Sequence, residues 1–223
     1  MFDFVPKIIN YIACFLALIL VLPIHEFAHA FVAVKYGDIT PKINNRYTLN
    51  PFAHFDALGL ICFCLAGFGW AKPVPVNPYN FKNYKWGCFW VAIAGVIANY
   101  LLAFIVFPIF NLSLFIPEFG YFTTVLQSAL YYVYSYSLVF CVFNLIPIYP
   151  LDGFRVLDAL NKKRGSVFRF LRDKGRIILL ILFALGVIAD ATGLFIIDIL
   201  GNTLGIVSTI IGYPIQLFWG LIL

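Results

Sequence analysis

Long apolar stretches separated by short polar connections make up most of the chain. Five of these stretches approach the roughly 20 residues with which a helix crosses a bilayer, and they cover residues 8–36, 87–110, 121–146, 177–200 and 204–223. The first would end at Gly37, because glycine is the usual residue just beyond a helix C-terminus. It has no small-residue cleavage site before Pro23, so we expect a retained membrane helix and not a signal peptide.

Between the first two of these helices the pattern changes twice. Residues 57–71 are apolar but too short to cross, and their glycines favour a re-entrant, partly inserted element. Residues 72–78 alternate prolines with other residues, which favours an extended element such as a strand of a short β-hairpin. Val74 and Val76 would keep the N–H groups of one edge, whereas Pro73 and Pro75 remove those of the other. That edge suits capture of an extended peptide by strand addition, with a stiff connection as the equally weighted alternative.

Composition supports a membrane location for the whole chain. Hydrophobic residues make up 63% of its 223 positions and charged residues 11%, against about 25% charged residues in ordinary soluble domains. We therefore expect an all-α polytopic membrane protein, a bundle of about five transmembrane helices with the re-entrant and extended elements beside it. Residues 1–223 would form a single membrane-embedded domain. The sequence carries no indication of oligomeric state.

The basic residues give a net charge of +5, and they lie in short connections instead of on a soluble surface. This distribution argues against a nucleic-acid partner and follows the positive-inside rule of membrane proteins. The rule makes three connections cytoplasmic: Lys35 to Arg46, Lys72 to Lys85, and Lys162 to Arg176. The N-terminus and the loop of residues 111–120 would then lie outside.

A metal-binding motif lies in the second half of the first helix. Residues 25–29 have the form H-E-x-x-H, and on a helix His25 and His29 stand one turn apart on the same face, where two imidazoles can hold one metal ion. Glu26 can reach water at the metal without binding the metal itself. Such side chains are costly in hydrocarbon, so their position indicates a function. By the topology above, the motif lies in the cytoplasmic half of the membrane.

A catalytic zinc site needs a third protein ligand besides the two histidines. The chain has one other histidine, His54. Among the carboxylates Asp152 stands out, because it lies in a proline-rich, non-helical stretch where a span breaks, and a buried aspartate needs a cationic partner. Asp56, Asp190 and Asp198 are weaker candidates, since nothing around them breaks the helix pattern.

The chain resembles the site-2 protease family of intramembrane zinc metalloproteases in two motifs and in their order. That family pairs H-E-x-x-H in one transmembrane helix with N-x-x-P-x-x-P-L-D-G in a later one, and here the second motif runs from Asn144 to Gly153. Residues 48–54 and 69–78 are similar to small bacterial members, and no inserted soluble domain is evident. The resemblance covers roughly residues 20–160 and implies a prokaryotic plasma membrane as the location.

The resemblance also implies roles for individual residues. His25, His29 and Asp152 would bind one zinc ion per chain, and Glu26 would be the catalytic base. Asn144 would line the active site and assist substrate or oxyanion binding.

Further positions are weaker candidates for substrate binding. The family's A-G-P-x-x-N motif corresponds to residues 94–99, where Val96 replaces the proline and Asn99 is kept. Asn99 would border the site or join two helices by a hydrogen bond. His54 would be a hydrogen-bonding residue at a helix end or would line the substrate path. Val74 and Val76 would supply the peptide-pairing edge.

The favoured hypothesis is a zinc metalloendopeptidase that cleaves transmembrane or membrane-proximal segments of membrane protein substrates, as in regulated intramembrane proteolysis. One alternative is a zinc-binding membrane protein without protease activity, such as a metal carrier or a regulator that only holds substrates. A carrier would string its ligands along a pathway, whereas this chain concentrates them at one site. A membrane hydrolase acting on a lipid or small molecule is the third possibility.

Overall fold

The computed structural model describes residues 4–59, 71–161 and 163–223, and within them five helices are long and apolar enough to span a membrane. These helices are α1 (Phe4–Lys35), α4 (Tyr84–Ser113), α5 (Tyr121–Leu145), α7 (Ser166–Thr192) and α8 (Ile199–Gly220). Shorter elements are α2 (Thr40–Ile43), α3 (Pro51–His54), α6 (Asp152–Leu160) and 3₁₀ turns at Pro78–Asn80 and Phe195–Ile197. The helical class and the predicted number of membrane helices are confirmed.

The β-hairpin expected near the active site has no counterpart in the described residues, which contain no β-strand. They contain an isolated antiparallel bridge between Phe55 and Ala71, followed by a non-helical run over residues 72–77. Pro73 and Pro75 lie within this run and Pro78 follows it. Proline favours extended backbone for itself and for the residue before it, so an extended element here stays a prediction. The predicted re-entrant element falls mostly on residues 60–70, which lie outside the described residues.

Two features after the second motif differ from the sequence-based expectation. Asp152 was expected in a non-helical stretch, but it is the first residue of the nine-residue helix α6. The span expected to begin at residue 177 begins at Ser166, so that much of the predicted basic connection is helical. Apolar length marks only the part of a helix inside hydrocarbon, and a helix continues into the interface when long basic side chains reach water from its surface.

Helices α1, α4 and α5 pack around a common core, to which α8 contributes Ile215. Its buried members include small residues at the helix contacts, Ala17 and Ala103, both fully inaccessible. Small side chains let helix backbones approach closely, which is the main source of packing energy between helices in lipid. Large apolar side chains on the outer faces of the helices are exposed, as expected for surfaces that meet lipid tails.

The connection between α1 and α4 returns to the end of α1 that carries the metal motif. Helix α1 ends before Gly37, which has a positive φ of 106°, as predicted for a glycine just past a helix terminus. The N–H of Lys82 then donates to the carbonyl of Tyr36 at 2.9 Å, and the N–H of Lys72 donates to the carbonyl of His54 at 2.7 Å. These bonds hold residues 72–77 beside the second half of α1.

Candidate metal centre and active site

Three ligand atoms from two distant parts of the chain converge between α1 and the start of α6. His25 and His29 stand one turn apart on α1, and α6 begins beside them with Asp152. The two Nε2 atoms lie 3.0 Å apart. Oδ2 of Asp152 lies 3.2 Å from Nε2 of His25 and 3.0 Å from Nε2 of His29. All three side chains are buried, and they form the group of potential metal ligands identified in the described residues.

The geometry and chemistry of this triangle fit a zinc ion. Ligands about 2.0–2.1 Å from a tetrahedral zinc lie roughly 3.3 Å from one another, close to the three separations observed. Oδ2 of Asp152 is buried and accepts no hydrogen bond from any described residue, although both imidazole nitrogens are near. A dication that all three atoms can bind would satisfy a buried carboxylate oxygen and two imidazole nitrogens packed this closely.

Helix α4 determines which nitrogen of His29 faces the centre. Nδ1 of His29 lies 2.6 Å from the carbonyl oxygen of Val91. A carbonyl can only accept, so Nδ1 carries the hydrogen and Nε2 presents its lone pair to the other two ligands. This is the usual arrangement for a zinc-bound histidine, whose second nitrogen donates to a carbonyl or carboxylate.

Asn99 occupies the corresponding position behind His25. Its Nδ2 lies 3.1 Å from Nδ1 of His25, and its Oδ1 is buried without a hydrogen-bond partner among the described residues. With a metal on Nε2, Nδ1 of His25 must carry a hydrogen, which requires the amide to turn its oxygen towards the ring. Asn99, a weak sequence candidate for substrate binding, therefore lies directly behind a metal ligand.

Gly95 is essential to this packing, and sequence reasoning had noted it only as part of the 94–99 motif. A Cβ atom at Gly95 would lie 2.5 Å from Cε1 of His25 and 2.5 Å from Nε2 of His29. Val91, Gly95 and Asn99 are spaced by four residues and share one face of α4, against the face of α1 that carries the histidines. This four-residue spacing, set against the His25–His29 spacing, is the signal that could have identified the face.

Glu26 lines a cavity together with His25 and contacts residues 72–77, the extended run, through its carboxylate. Its Oε2 accepts a 3.0 Å hydrogen bond from the backbone N–H of Val74. The predicted peptide-pairing edge is thus partly occupied, since one of its two donors is bound to Glu26. The N–H of Val76 and the carbonyls of Val74 and Val76 make no hydrogen bond with the described residues.

A buried carboxylate that sequence reasoning missed fixes the other end of this run. Asp38 is fully inaccessible and accepts hydrogen bonds from the N–H of Asn77 at 2.7 Å, from Nδ2 of Asn80 at 2.8 Å, and from the N–H and hydroxyl of Thr40. Burial alone would raise the pKa of Asp38, but these hydrogen bonds outweigh burial and hold its pKa below the usual value. Asp38 therefore anchors the run that contacts Glu26.

The remaining sequence candidates are placed as follows. Asn144 donates to the carbonyl of Phe140 at 3.0 Å, and it lines a cavity of about 400 Å³ together with His25 and Glu26. His54 is buried at the end of α3, and its Nε2 lies 2.8 Å from the carbonyl of Thr48, as its alternative hydrogen-bonding role predicted. Of the weaker aspartates, Asp198 caps α8 through the N–H of Gly201 and lies outside the ligand group.

Comparison with known proteins identifies relatives of similar sequence. The chain is 42% identical over 147 residues to "Putative zinc metalloprotease YwhC" of Bacillus subtilis, which covers 65% of this chain and 67% of that protein. It is 26% identical over 184 residues to "Putative zinc metalloprotease Rip2" of Mycolicibacterium smegmatis, with 78% and 69% covered. The Rip2 protein of Mycobacterium tuberculosis is 31% identical over 143 residues, 61% of this chain and 52% of that protein.

No family model and no solved structure matches the chain. The relationship therefore depends on sequence identity with these relatives, and the identity with YwhC extends over 65% of this chain and 67% of that protein. The two motifs and the convergence of His25, His29 and Asp152 agree with this sequence identity. The chain belongs to the site-2 protease family of zinc metalloproteases.

Proposed function

We propose that this protein is an intramembrane zinc endopeptidase that cleaves transmembrane or membrane-proximal segments of other membrane proteins. The observation that carries the proposal is the convergence of three zinc-type ligand atoms inside a bundle of membrane-spanning helices, with a carboxylate next to them. A metal carrier needs ligands along a path, whereas the described residues concentrate theirs at one point. The names of the relatives support a protease.

The chemistry divides between the metal and the chain. Zinc, when bound by His25, His29 and Asp152, supplies a Lewis acid that polarises a carbonyl and makes water more acidic. Glu26 acts as the general base, taking the proton of the attacking water and giving it to the leaving amide nitrogen. The N–H of Val74 occupies Oε2 of Glu26, which leaves Oε1 as the oxygen that carries this proton.

The substrate must be locally extended, because the backbone of a helix is already engaged in its own hydrogen bonds. An extended peptide beside residues 72–77 would regain part of these bonds from the Val76 N–H and from the carbonyls of Val74 and Val76. Asn144 lines the same cavity as Glu26, which supports a role for Asn144 in contacting the peptide next to the scissile bond.

The active site is proposed to face the cytoplasm in the plasma membrane of a prokaryotic cell. The metal group lies in the second half of α1, which ends at Lys35 and is followed by Lys42. The first turns of α7, which follows α6 in the chain, carry further basic residues. Basic residues accumulate on the cytoplasmic side of membrane helices. The lipid bilayer and membrane protein substrates are the expected partners.

The test is cleavage of model transmembrane peptides by the full chain reconstituted in lipid vesicles. We expect cleavage that a zinc chelator abolishes and added zinc restores, with one zinc per chain. Glu26→Gln should bind zinc normally and cleave nothing. Active Glu26→Gln protein would refute the assignment of the base. Zinc binding without cleavage of any peptide by the unaltered chain would favour the non-proteolytic alternative.

A further inference from the structure

Two cavities of different character lie beside the metal group. The first, here called the apolar cavity, has a volume of about 400 Å³ and reaches His25 and Glu26. Its apolar walls come from α1, α5 and α7: Leu22, Phe140, Phe143, Leu179, Leu180 and Phe183. Arg176 is its basic lining residue, and it donates to the hydroxyl of Tyr149 at 3.2 Å.

The second cavity, here called the basic cavity, has a volume of about 360 Å³ and lies between α4, α6 and the extended run. Its wall includes Val91, the residue whose carbonyl holds His29, and Arg155, which follows Asp152 by three residues. It thus adjoins the metal group from the His29 side, whereas the apolar cavity adjoins it from the side of His25 and Glu26.

The extended run connects the two cavities. Ala71 lines the apolar cavity, and Val74 and Val76 line the basic cavity. Within this run, the N–H of Val74 donates a hydrogen bond to Glu26. A peptide laid along this run would pass the catalytic carboxylate with one flank in each cavity.

The charges in the basic cavity are unbalanced. Among the described residues, three basic ones, Lys85, Arg155 and Arg164, line it together with one acidic residue, Asp158. Arg164 is already paired with Asp158 at 2.9 Å. Nη1 of Arg155 lies 3.7 Å from Oδ1 of Asp152, beyond hydrogen-bond distance, and its side chain is 46% exposed. Asp152 would neutralise part of the charge of zinc and not that of Arg155. The guanidinium of Arg155 is therefore available to bind an incoming carboxylate.

We infer that the basic cavity binds an acidic side chain of the substrate and that Arg155 is the residue that recognises it. The inference rests on the proposed protease function. It assigns the substrate a chemical class: an apolar stretch for the apolar cavity, followed by an aspartate or glutamate on the other side of the scissile bond. Nη1 of Arg155 lies 3.7 Å from Oδ1 of the ligand Asp152. Since an extended chain advances about 3.3 Å per residue, we expect that acidic residue within about three positions of the cut.

Binding can be measured without cleavage by using the full chain with Glu26→Gln, loaded with zinc. The probes are three fluorescent peptides with the same leucine-rich membrane segment and with Asp, Asn or Lys at one position of the flank. We expect the Asp peptide to bind about threefold to tenfold more tightly than the Asn peptide, and the Lys peptide to bind most weakly. Arg155→Gln should remove the preference for Asp, and Arg155→Glu should reverse it towards Lys.

Arg169→Glu is the matched control, since it makes the same charge change on the exposed surface of α7 outside both cavities. It should leave the order of the peptides unchanged, and zinc content should stay equal in all variants. Equal binding of the Asp and Asn peptides by protein with intact Arg155, or a reversal by Arg169→Glu, would overturn the inference. Cleavage by the active chain tests the proposed function separately: a preference in binding without any cleavage refutes the protease, and cleavage without a preference refutes the role of Arg155.

Discussion

The backbone N–H of Val74 donates a 3.0 Å hydrogen bond to Oε2 of Glu26, across 48 positions of sequence. This bond ties the proposed catalytic base to the run that is proposed to pair with substrate. The run is fixed on both sides of Val74, by the bond from Lys72 to His54 and by the bonds from Asn77 and Asn80 to Asp38. The position of the base and the position of the substrate are therefore coupled.

Asp38→Asn should loosen this coupling. The new amide group would place a donor against the N–H of Asn77, and an unsatisfied buried donor costs about 1–3 kcal/mol. We expect a lower temperature of unfolding and a higher KM for a model membrane peptide, with unchanged zinc content because Asp38 touches no ligand. Asp173→Asn, at an exposed aspartate, is the control that should change neither quantity. Unchanged unfolding and KM in Asp38→Asn would show that the anchor is not needed.

The pH dependence of stability should also reveal Asp38. Its hydrogen bonds lower its pKa in the folded protein, so the stability that it contributes is complete above the unfolded-state pKa of about 3.9 and is lost as pH falls through the folded value. Thermal unfolding of the native chain and of Asp38→Asn, followed from pH 7 downwards, should give a constant difference until about pH 4. Below that pH the difference should shrink, and a constant difference throughout would contradict the role of the carboxylate.

Gly95→Ala should strongly weaken zinc binding. The added methyl group would lie 2.5 Å from atoms of both His25 and His29, so that α4 must move away or the imidazoles must leave the ligand triangle. We expect zinc in the purified protein to fall at least tenfold, measured by elemental analysis, because displaced ligands and their supporting contacts control affinity. Gly205→Ala is the matched control in a membrane helix, since a Cβ there meets nothing within 4 Å. Full zinc occupancy in Gly95→Ala would contradict the close packing.

The sequence predicted the parts of the site that local spacing determines. The His25–His29 pair follows from helical periodicity, and Asp152 followed from the cost of a buried carboxylate near a break in a span. Gly95 and Asp38 were not singled out, because their roles depend on which face of α4 meets α1 and on where the connection over residues 36–83 returns. Contacts between segments that are far apart in the chain are only weakly indicated by the local spacing of residues.

The start of α7 is a second feature that the local sequence pattern did not predict. Hydropathy placed it at residue 177, whereas the helix begins at Ser166 and carries its basic residues on its first turns. The length of an apolar stretch reflects the thickness of the hydrocarbon layer. The ends of the helix are determined instead by its backbone hydrogen bonds. A helix that continues past the hydrocarbon is therefore predicted too short.

Substitutions at Asn99 should separate a supporting role for the metal ligand from a role in joining helices. If His25 binds zinc through Nε2, its Nδ1 carries a hydrogen and needs an acceptor, and Asn99 is the side chain placed there. Asn99→Leu removes that acceptor at similar volume, and we expect zinc affinity to fall about tenfold to a hundredfold in competition with a chelator.

Asn99→Asp supplies two acceptor oxygens and no donor, so it should keep zinc affinity within about threefold of the native value, since a carboxylate behind a zinc-bound histidine is a common arrangement. A residue that only joined helices through its amide would give the same loss of thermal stability in both variants and no difference in zinc affinity. The two variants therefore need both measurements, chelator competition for the metal and thermal unfolding of the zinc-free protein. Equal zinc affinity in Asn99→Leu and Asn99→Asp would refute the supporting role. A higher affinity in Asn99→Asp than in Asn99→Leu would indicate that the amide oxygen of Asn99, and not its nitrogen, faces His25 in the zinc-loaded protein.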